Sequence, residues 1–549
     1  MEELIRKFAL QNAIFYKGKA NPGAVISKVL GEDNALKKNI KEVAKKINEI
    51  VKKVNSLTLE QQKKELEKID PEMLEKKAKE KKDIFSVLDI KEGDKIITAF
   101  PPEPSKYPHI GHAKAILLNY ELAKKYNGKF ILRFEDTNPK LAKTEFYKIH
   151  LDNYAWLGIK PDEVIYVSDY MKKFYDLAEK LIRQGKAYMC TCPIEELREK
   201  RYKGIDCDCR NKNIDLNLEL WKKFFDAKEE SMVLRLKLDM QSQNTTMRDP
   251  TIMRIIDHEH ARQKKKYRVW PNYDFENAVM DGLFGVTHRM RSKEFEIRTP
   301  LQRLIQEMLG FKKTESYEFA RFNLVGVESS GRIIREKVDS GELIGWDDPT
   351  LTTLVALRRR GFLPEAIKEF VLATGMTKSE ATLTWDDLII HNKRILEPVI
   401  PRYFFSSKLE KIKIDNASAE HEVEIPLHPE AKMGMRKIKV KDEFYIDDKL
   451  SNGNYRLIEC MNFEHKAKKN IFLSEKHDKE LNAKLIHWVS LKDKLIDIEI
   501  MMPDKKIIRG KAEGALIDVK EDSIVQFMRF GFCRLDKIED KTYKFWLTH

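Results

Sequence analysis

The sequence predicts a multidomain chain with a parallel α/β sheet at its centre, helices ahead of that sheet and antiparallel β-structure behind it. Three observations carry this. Apolar residues recur at helical spacing in the first 90 positions, a strand–loop–helix–strand pattern spans residues 96–134, and short alternating segments fill the chain after Pro401. A chain of 549 residues also exceeds what one hydrophobic core holds, so about three or four domains are expected.

In the first part, Leu36, Ile40, Val43, Ile47, Ile50 and Val54 alternate spacings of four and three, which places them on one helix face with lysines and glutamates elsewhere. Such a stripe is a packing face. Asp70-Pro71 and the polar run 76–82 mark joints. The texture then changes. Residues 96–100 are a short apolar strand, followed by Pro101-Pro102-Glu103-Pro104, then His109-Ile110-Gly111-His112 and a helical stretch over 113–126. Asn127-Gly128 stops that helix, and KFILRF (Lys129–Phe134) is the next strand. This unit builds parallel sheets that bind nucleotides. Residues from about 272 to 324 read as the other half of the sheet, with an insertion over about 185–266 between the halves. Residues 340–400 are helical again. Beyond Pro401, LEKIKI, RKIKVK, FEHKAKKNIFL, IDIEIMM and YKFWL read as antiparallel β-structure closed into barrels.

Lys and Arg number 102 against 88 Asp and Glu, a net charge of +14. The surplus suits a polyanionic partner or a well-solvated lysine-rich surface about equally. No apolar run approaches the roughly 18 residues of a membrane span, and MEELIRKFALQNA lacks the apolar core of a secretory signal. A cytoplasmic protein is expected. Six cysteines in so long a chain make no disulfide framework. Four of them, Cys190, Cys192, Cys207 and Cys209, stand as C-x-C-x14-C-x-C, two close pairs of thiolates with the spacing of a structural zinc site. Cys460 and Cys533 read as ordinary buried thiols.

His109 and His112, three apart at a helix start, face roughly the same way. Gly111 permits close approach of a ligand, and the helix N-terminus offers N–H groups to phosphate. Alone, such a pair also fits a metal site or surface histidines. Its context narrows the reading. PPEPSKYPHIGHAKA, then KFILRFEDTNP, WPNYDF, GVTHRMRSKEF and GWDDPTL stand in the order found in glutamyl- and glutaminyl-tRNA synthetases, class I aminoacyl-tRNA synthetases that this chain resembles. The resemblance runs from ALQNAIFYKGKANPGAV to the β-rich C-terminal region. Helices at the N-terminus with a β-type C-terminal region look like the archaeal glutamyl branch; bacterial glutamyl enzymes have helices there instead.

The resemblance implies a Rossmann-like catalytic core in two halves, 91–184 and 267–338, the second ending in a degenerate KMSKS-type loop. An N-terminal helical domain would cover 1–90, an acceptor-binding insertion with the four-cysteine zinc site 185–266, a helical connector 339–400 and a β-barrel anticodon-binding region 401–549. It implies ATP-dependent ligation of glutamate to tRNA(Glu) through a glutamyl-adenylate, and leaves open charging of tRNA(Gln). ATP with Mg²⁺ and a structural Zn²⁺ would be the cofactors; tRNA, glutamate and ATP the partners, with neither membrane nor DNA. His109, Gly111 and His112 would contact the ATP phosphates, with Glu103, Ser105 and Ser292 lining the nucleotide site. Glu135 would meet the substrate ammonium and Tyr273 would touch the amino acid. Arg291 stands where glutamyl enzymes carry arginine and glutaminyl enzymes a small uncharged residue, since a carboxylate calls for a guanidinium. Arg289 and Arg298 lie nearby as alternatives.

Two departures stand out. Ala99 occupies a position where the family has an arginine that helps hold the amino acid, so Arg291 carries more of the work or another residue compensates. Residues 327–333, VESSGRI, contain no lysine where the family's phosphate loop has one; Arg332 is the nearest substitute cation, then Arg335. A glutaminyl enzyme and a catalytically weakened tRNA-binding paralogue are the rival readings.

Overall fold

Helices α1 (Glu2–Phe15), α2 (Pro22–Glu32), α3 (Ile40–Asn55) and α4 (Leu59–Ile69) open the chain. The computed structural model describes residues 1–16, 18–33, 36, 40–74, 83–91, 93–322 and 324–549. Asn21 caps α2, and Thr58 with Gln61 forms a reciprocal capping box on α4. Of the predicted stripe, Val43, Ile47 and Val54 are buried, with Val51 beside them, against Ile5, Ala9 and Ala13 of α1; Leu36 and Ile50 are half-buried at the margin. Ile40 opens α3, and its side chain, like the predicted joint at 76–82, lies outside the described residues. This helical group, Met1–Asp83, is one unit of the chain; Ile84–His549 is the other.

The second unit begins with β1 (Ile97–Phe100), α5 (Ile110–Lys125), β2 (Lys129–Phe134), α6 (Thr144–Trp156), β3 (Glu163–Tyr166) and α7 (Met171–Arg183). The insertion follows with β4 (Ala187–Cys190), α8 (Ile194–Lys203), α9 (Ile214–Phe224), β5 (Val233–Leu236), β6 (Thr251–Ile255) and β7 (Val269–Pro271). The core resumes with α10 (Tyr273–Phe284), β8 (His288–Ser292), α11 (Thr299–Leu309) and β9 (Glu315–Phe319). Strand order in the central sheet is β3-β2-β1-β8-β9, every pair parallel. The chain builds outward from β1 in one direction and from β8 in the other, so the order reverses between them. Ligands bind at such a switch point, beyond the carboxyl ends of the strands.

β1 and β8 share a single rung, Thr98 opposite His288, and then part. Asn119 of α5 plugs the gap. Its amide donates to Met290 O at 2.8 Å, its Oδ1 accepts from Met290 N at 3.1 Å, and its backbone carbonyl accepts from Thr98 Oγ1 at 2.8 Å. Parted strands need such a partner, because a buried backbone group without one costs about 1–3 kcal/mol.

The insertion is a four-stranded antiparallel sheet, β4-β5-β6-β7, whose last strand ends at Pro271, beyond the expected limit of 266. Its inner face shares one core with the central sheet: Ile97, Ile131, Phe174, Leu234, Trp270 and Phe275 are buried together. After the core come α12 (Gly331–Asp339), α13 (Leu354–Arg360), α14 (Pro364–Ala373) and α15 (Trp385–Leu396). The predicted loop over 327–333 is therefore half helix, because Gly331 is the first residue of α12.

Two β-assemblies end the chain. One is a seven-stranded sheet whose first and last strands, Arg402–Tyr403 and Phe405–Ser406, belong to one extended segment, so the sheet curls back on itself. The other gathers three smaller sheets around Ile412, Ile438, Phe444, Phe463 and Trp488. The pairing is mainly antiparallel, but Ile496–Met501 with Thr542–Leu547, Gly453–Leu457 with Lys484–Ile486 and Arg402–Tyr403 with Ile524–Phe527 run parallel. Alternation along one strand does not reveal its neighbour's direction.

Candidate active site and cysteine cluster

A cavity of about 500 Å³ opens at the carboxyl ends of β1, β2 and β8. Glu103, His109, Gly111, His112, Glu135, Tyr273, Arg291 and Ser292, eight of the residues singled out from the sequence, line it. Ser105 and Arg332 do not. Ser105 is buried beside the cavity, its Oγ donating to Glu103 Oε2 at 2.7 Å. Arg332 lies on the outer face of α12 with its side chain 81% exposed, 3.9 Å from Glu336.

His109 is the N-cap of α5. Its Nδ1 accepts from Gly111 N at 3.0 Å, and His112 Nδ1 accepts from His109 N at 3.2 Å. Both rings therefore carry their proton on Nε2, a tautomer assigned from these partners. Burial pushes both basicities down, His109 to about 3 and His112 well below its usual value, and the charge of Lys106 adds to each. The pair is neutral at pH 7 and presents N–H donors. The role expected of the helix's amides is partly pre-empted, since Ile110 N donates to Thr352 O at 2.9 Å and Gly111 N is taken by His109. A side chain at Gly111 would also crowd the cap, since a Cβ there would lie 2.8 Å from Cε1 of His109.

Across the cavity, Arg289 and Arg291 alternate on β8 and so share a face. Arg289 pairs with Asp281 at 2.8 Å and donates to Asn277 Oδ1 at 2.8 Å. Arg291 donates to Gln302 Oε1 at 3.0 Å and to Thr299 Oγ1, while its nearest carboxylate oxygen, in Glu318, is 3.8 Å away. Burial and the neighbouring Arg289 lower the Arg291 guanidinium to about 10. Among the described residues, the Nε of each arginine has no hydrogen-bond partner. Arg298, the third arginine of this stretch, instead pairs with Asp274 at 2.7 Å and lies over the Tyr273 ring at 5.3 Å.

Glu135 is the first residue after β2, hydrogen bonded by Asn277 Nδ2 and 3.4 Å from Arg133. Burial raises its carboxyl to about 7 against the pull of Arg133 and Arg289. Ala99 is fully buried, in the same core as Phe275 and Ala278 of α10. It follows the Thr98–His288 rung, as Arg289 does on β8, and Arg289 reaches the same helix at Asn277 and Asp281. Lys106, Arg254 and Arg321, for which the sequence alone suggests no cavity role, also line it. For Arg289 the signal was present, because residues two apart on a strand face the same way.

In the insertion, the four cysteine sulfurs lie within 4.8 Å of one another. Cys190 and Cys207 are 3.7 Å apart, Cys192 and Cys209 3.9 Å. Four thiolates held at about 2.3 Å around one Zn²⁺ stand about 3.8 Å apart, so the cluster fits the ion. Thr191 N and Arg235 Nη1 donate to Cys209 and Cys207 at 3.5 and 3.6 Å, the outer support a thiolate site needs. Cys460 and Cys533 are free and buried.

Comparison with known proteins matches the chain almost end to end. Residues 95–398 match the catalytic domain of the tRNA synthetases class I (E and Q), and residues 400–483 and 485–536 match two anticodon-binding domains of that family. Relatives include the glutamate–tRNA ligase of Pyrococcus furiosus, 42% identical over 562 residues that cover 98% of each chain. That of Thermococcus kodakarensis is 40% identical over 98% of this chain and 97% of its own, and that of Pyrococcus abyssi 41% identical over 98% of each.

Proposed function

The chain belongs to the class I tRNA synthetases of the glutamyl and glutaminyl type, and from that premise we propose that it joins glutamate to tRNA(Glu), with ATP and Mg²⁺, in the cavity beyond β1 and β8. A carboxylate oxygen of glutamate attacks the α-phosphorus of ATP and pyrophosphate leaves; the terminal ribose hydroxyl of tRNA then takes the acyl group. Such chemistry asks for in-line placement and compensation of charge on oxygen. The neutral pair His109 and His112 donates Nε2–H to the phosphates. Glu135, ionised, receives the ammonium of glutamate, and Tyr273 packs on its stem.

The single observation that carries the choice of substrate is the pair of guanidiniums, Arg289 and Arg291, on one face of β8 against the cavity. A side-chain carboxylate would pair with Arg291, whose nearest carboxylate oxygen is 3.8 Å away, beside Arg289, which Asp281 already pairs; an amide brings Arg291 no charge. Arg289 supplies the charge absent at Ala99, reaching the same region from the next strand. The four clustered cysteines hold one Zn²⁺ that braces the insertion against the acceptor end of tRNA, and the β-assemblies bind the anticodon. Among the described residues no helix is long and apolar enough to cross a membrane. The deciding experiment is ATP–pyrophosphate exchange in the presence of tRNA, run in parallel with glutamate and glutamine. Exchange with glutamate at least about tenfold above glutamine is expected, the ratio that about 1.4 kcal/mol of discrimination gives; the reverse order would overturn the assignment.

A further inference from the structure

Lys106 lies in the loop between β1 and α5, and its methylene stem crosses Gly331 at the first turn of α12. A Cβ on Gly331 would stand 2.6 Å from Lys106 Cδ, so any side chain there would displace the lysine. Two hydrogen bonds hold the crossing. Arg335 Nη2 donates to Ser105 O at 2.8 Å, and Lys106 O is bonded to His150 Nε2 at 2.9 Å. Beyond the crossing, Lys106 lines the cavity with Glu103, His109, His112 and Ser329. Its charge depresses the basicity of both histidines. Among the described residues the ammonium has no ion pair or hydrogen bond of its own; Glu103 and Glu294 act on it only from a distance, and burial lowers its pKa. A half-buried cation without a partner is costly until an anion arrives.

The two arginines of α12 are placed otherwise. Arg332 faces solvent, and Arg335 is engaged with the Ser105 carbonyl. We propose that Lys106 is the cation that holds the triphosphate of ATP in this chain, its stem using the space that Gly331 leaves open; this rests on reading the cavity as the adenylate-forming site. In the step it serves, an oxygen of the glutamate α-carboxylate bonds to the α-phosphorus while the bond from that phosphorus to the oxygen bridging the β-phosphate breaks. The electron pair leaves on pyrophosphate and no proton is transferred. Lys106 keeps its proton and donates to the phosphate oxygens that gain charge.

The test titrates Mg-ATP calorimetrically into the full-length protein and measures pyrophosphate exchange with glutamate and tRNA. Four proteins are compared: wild type, Lys106→Gln, Lys106→Ala, and Lys106→Ala combined with Gly331→Lys. Both single variants should bind ATP at least about tenfold more weakly and exchange about a hundredfold more slowly, with the KM for glutamate near wild type. The double variant should recover most of the loss, since its lysine returns from the other side of the same crossing. Wild-type ATP binding and exchange in Lys106→Gln would overturn the proposal. So would a loss spread equally over ATP and glutamate with a lowered melting temperature, the mark of a structural role. If the wild type exchanges nothing with glutamate, the proposed substrate fails, but the ATP titration still decides the role of Lys106.

Discussion

Arg289 and Arg291 donate to the same oxygen, Gln302 Oε1, at 2.6 and 3.0 Å. Gln302 is anchored in turn, its Nε2 donating to Asp274 Oδ1 at 3.0 Å. One neutral oxygen thus keeps two guanidiniums side by side. Arg289 is paired with Asp281, Arg291 has no carboxylate oxygen closer than 3.8 Å among the described residues, and an arriving carboxylate finds the Arg291 charge in place. Such preorganisation lowers the cost of ordering at the moment of binding.

Removal of either charge should show in the amino-acid term alone. Arg291→Ala is expected to lower kcat/KM for glutamate by about a hundred- to a thousandfold, roughly 3–4 kcal/mol, with the KM for ATP within a fewfold of wild type. Arg289→Ala should act in the same direction and also lower the melting temperature, because it leaves Asp281 with one cation, Arg133, instead of two. Aminoacylation titrations with glutamate and glutamine measure both effects. Unchanged glutamate kinetics in Arg291→Ala would remove it from the specificity pocket.

The histidine pair predicts a loss confined to the chemical step. His109→Ala and His112→Ala should each slow pyrophosphate exchange by about a hundredfold, the usual effect of deleting one well-placed donor. Their affinities for tRNA, read by filter binding, should stay near wild type. His109→Ala also removes the N-cap of α5, a further cost of about 1 kcal/mol that a thermal melt detects.

Glu135 should impose a pH limb. Its carboxyl titrates at about 7 in the free protein, raised by burial from 4.5, and only the ionised form attracts the substrate ammonium. Hence kcat/KM for glutamate should rise as pH rises through about 7 and level off above it. Glu135→Gln should lower the plateau and abolish the limb. A profile flat from about pH 6 to about pH 8 in the wild type, across the whole of that titration, would exclude this role.

The cysteine cluster should hold one metal ion per chain. Protein purified without added zinc is expected to contain one equivalent of Zn²⁺ by elemental analysis, and Cys207→Ser with Cys209→Ser should contain none. Since a structural zinc contributes directly to folding, chelation should lower the melting temperature of the wild type and leave the double variant unmoved.

Much of this protein is determined locally. The alternating spacing that makes α3 a packing helix, the strand–loop–helix unit around His109, and the two cysteine pairs all lie within short windows, where period and residue type dictate structure. The insertion's end at Pro271 rather than 266 was less legible, because strand boundaries depend on partners that lie far along the chain.

What only the tertiary structure decided concerns residues brought together across the fold. The sequence marks Ala99 and the lysine-free segment 327–333 as places where a cation is absent, and places Arg332 nearest in line. It does not show that β1 and β8 share the Thr98–His288 rung, which sets Arg289 over the region of Ala99. Nor does it show Lys106 crossing Gly331 from a loop more than 200 positions earlier. Charge acts through space and is indifferent to chain position, so one segment can lose a cation that another returns, and only the packed structure reveals the exchange.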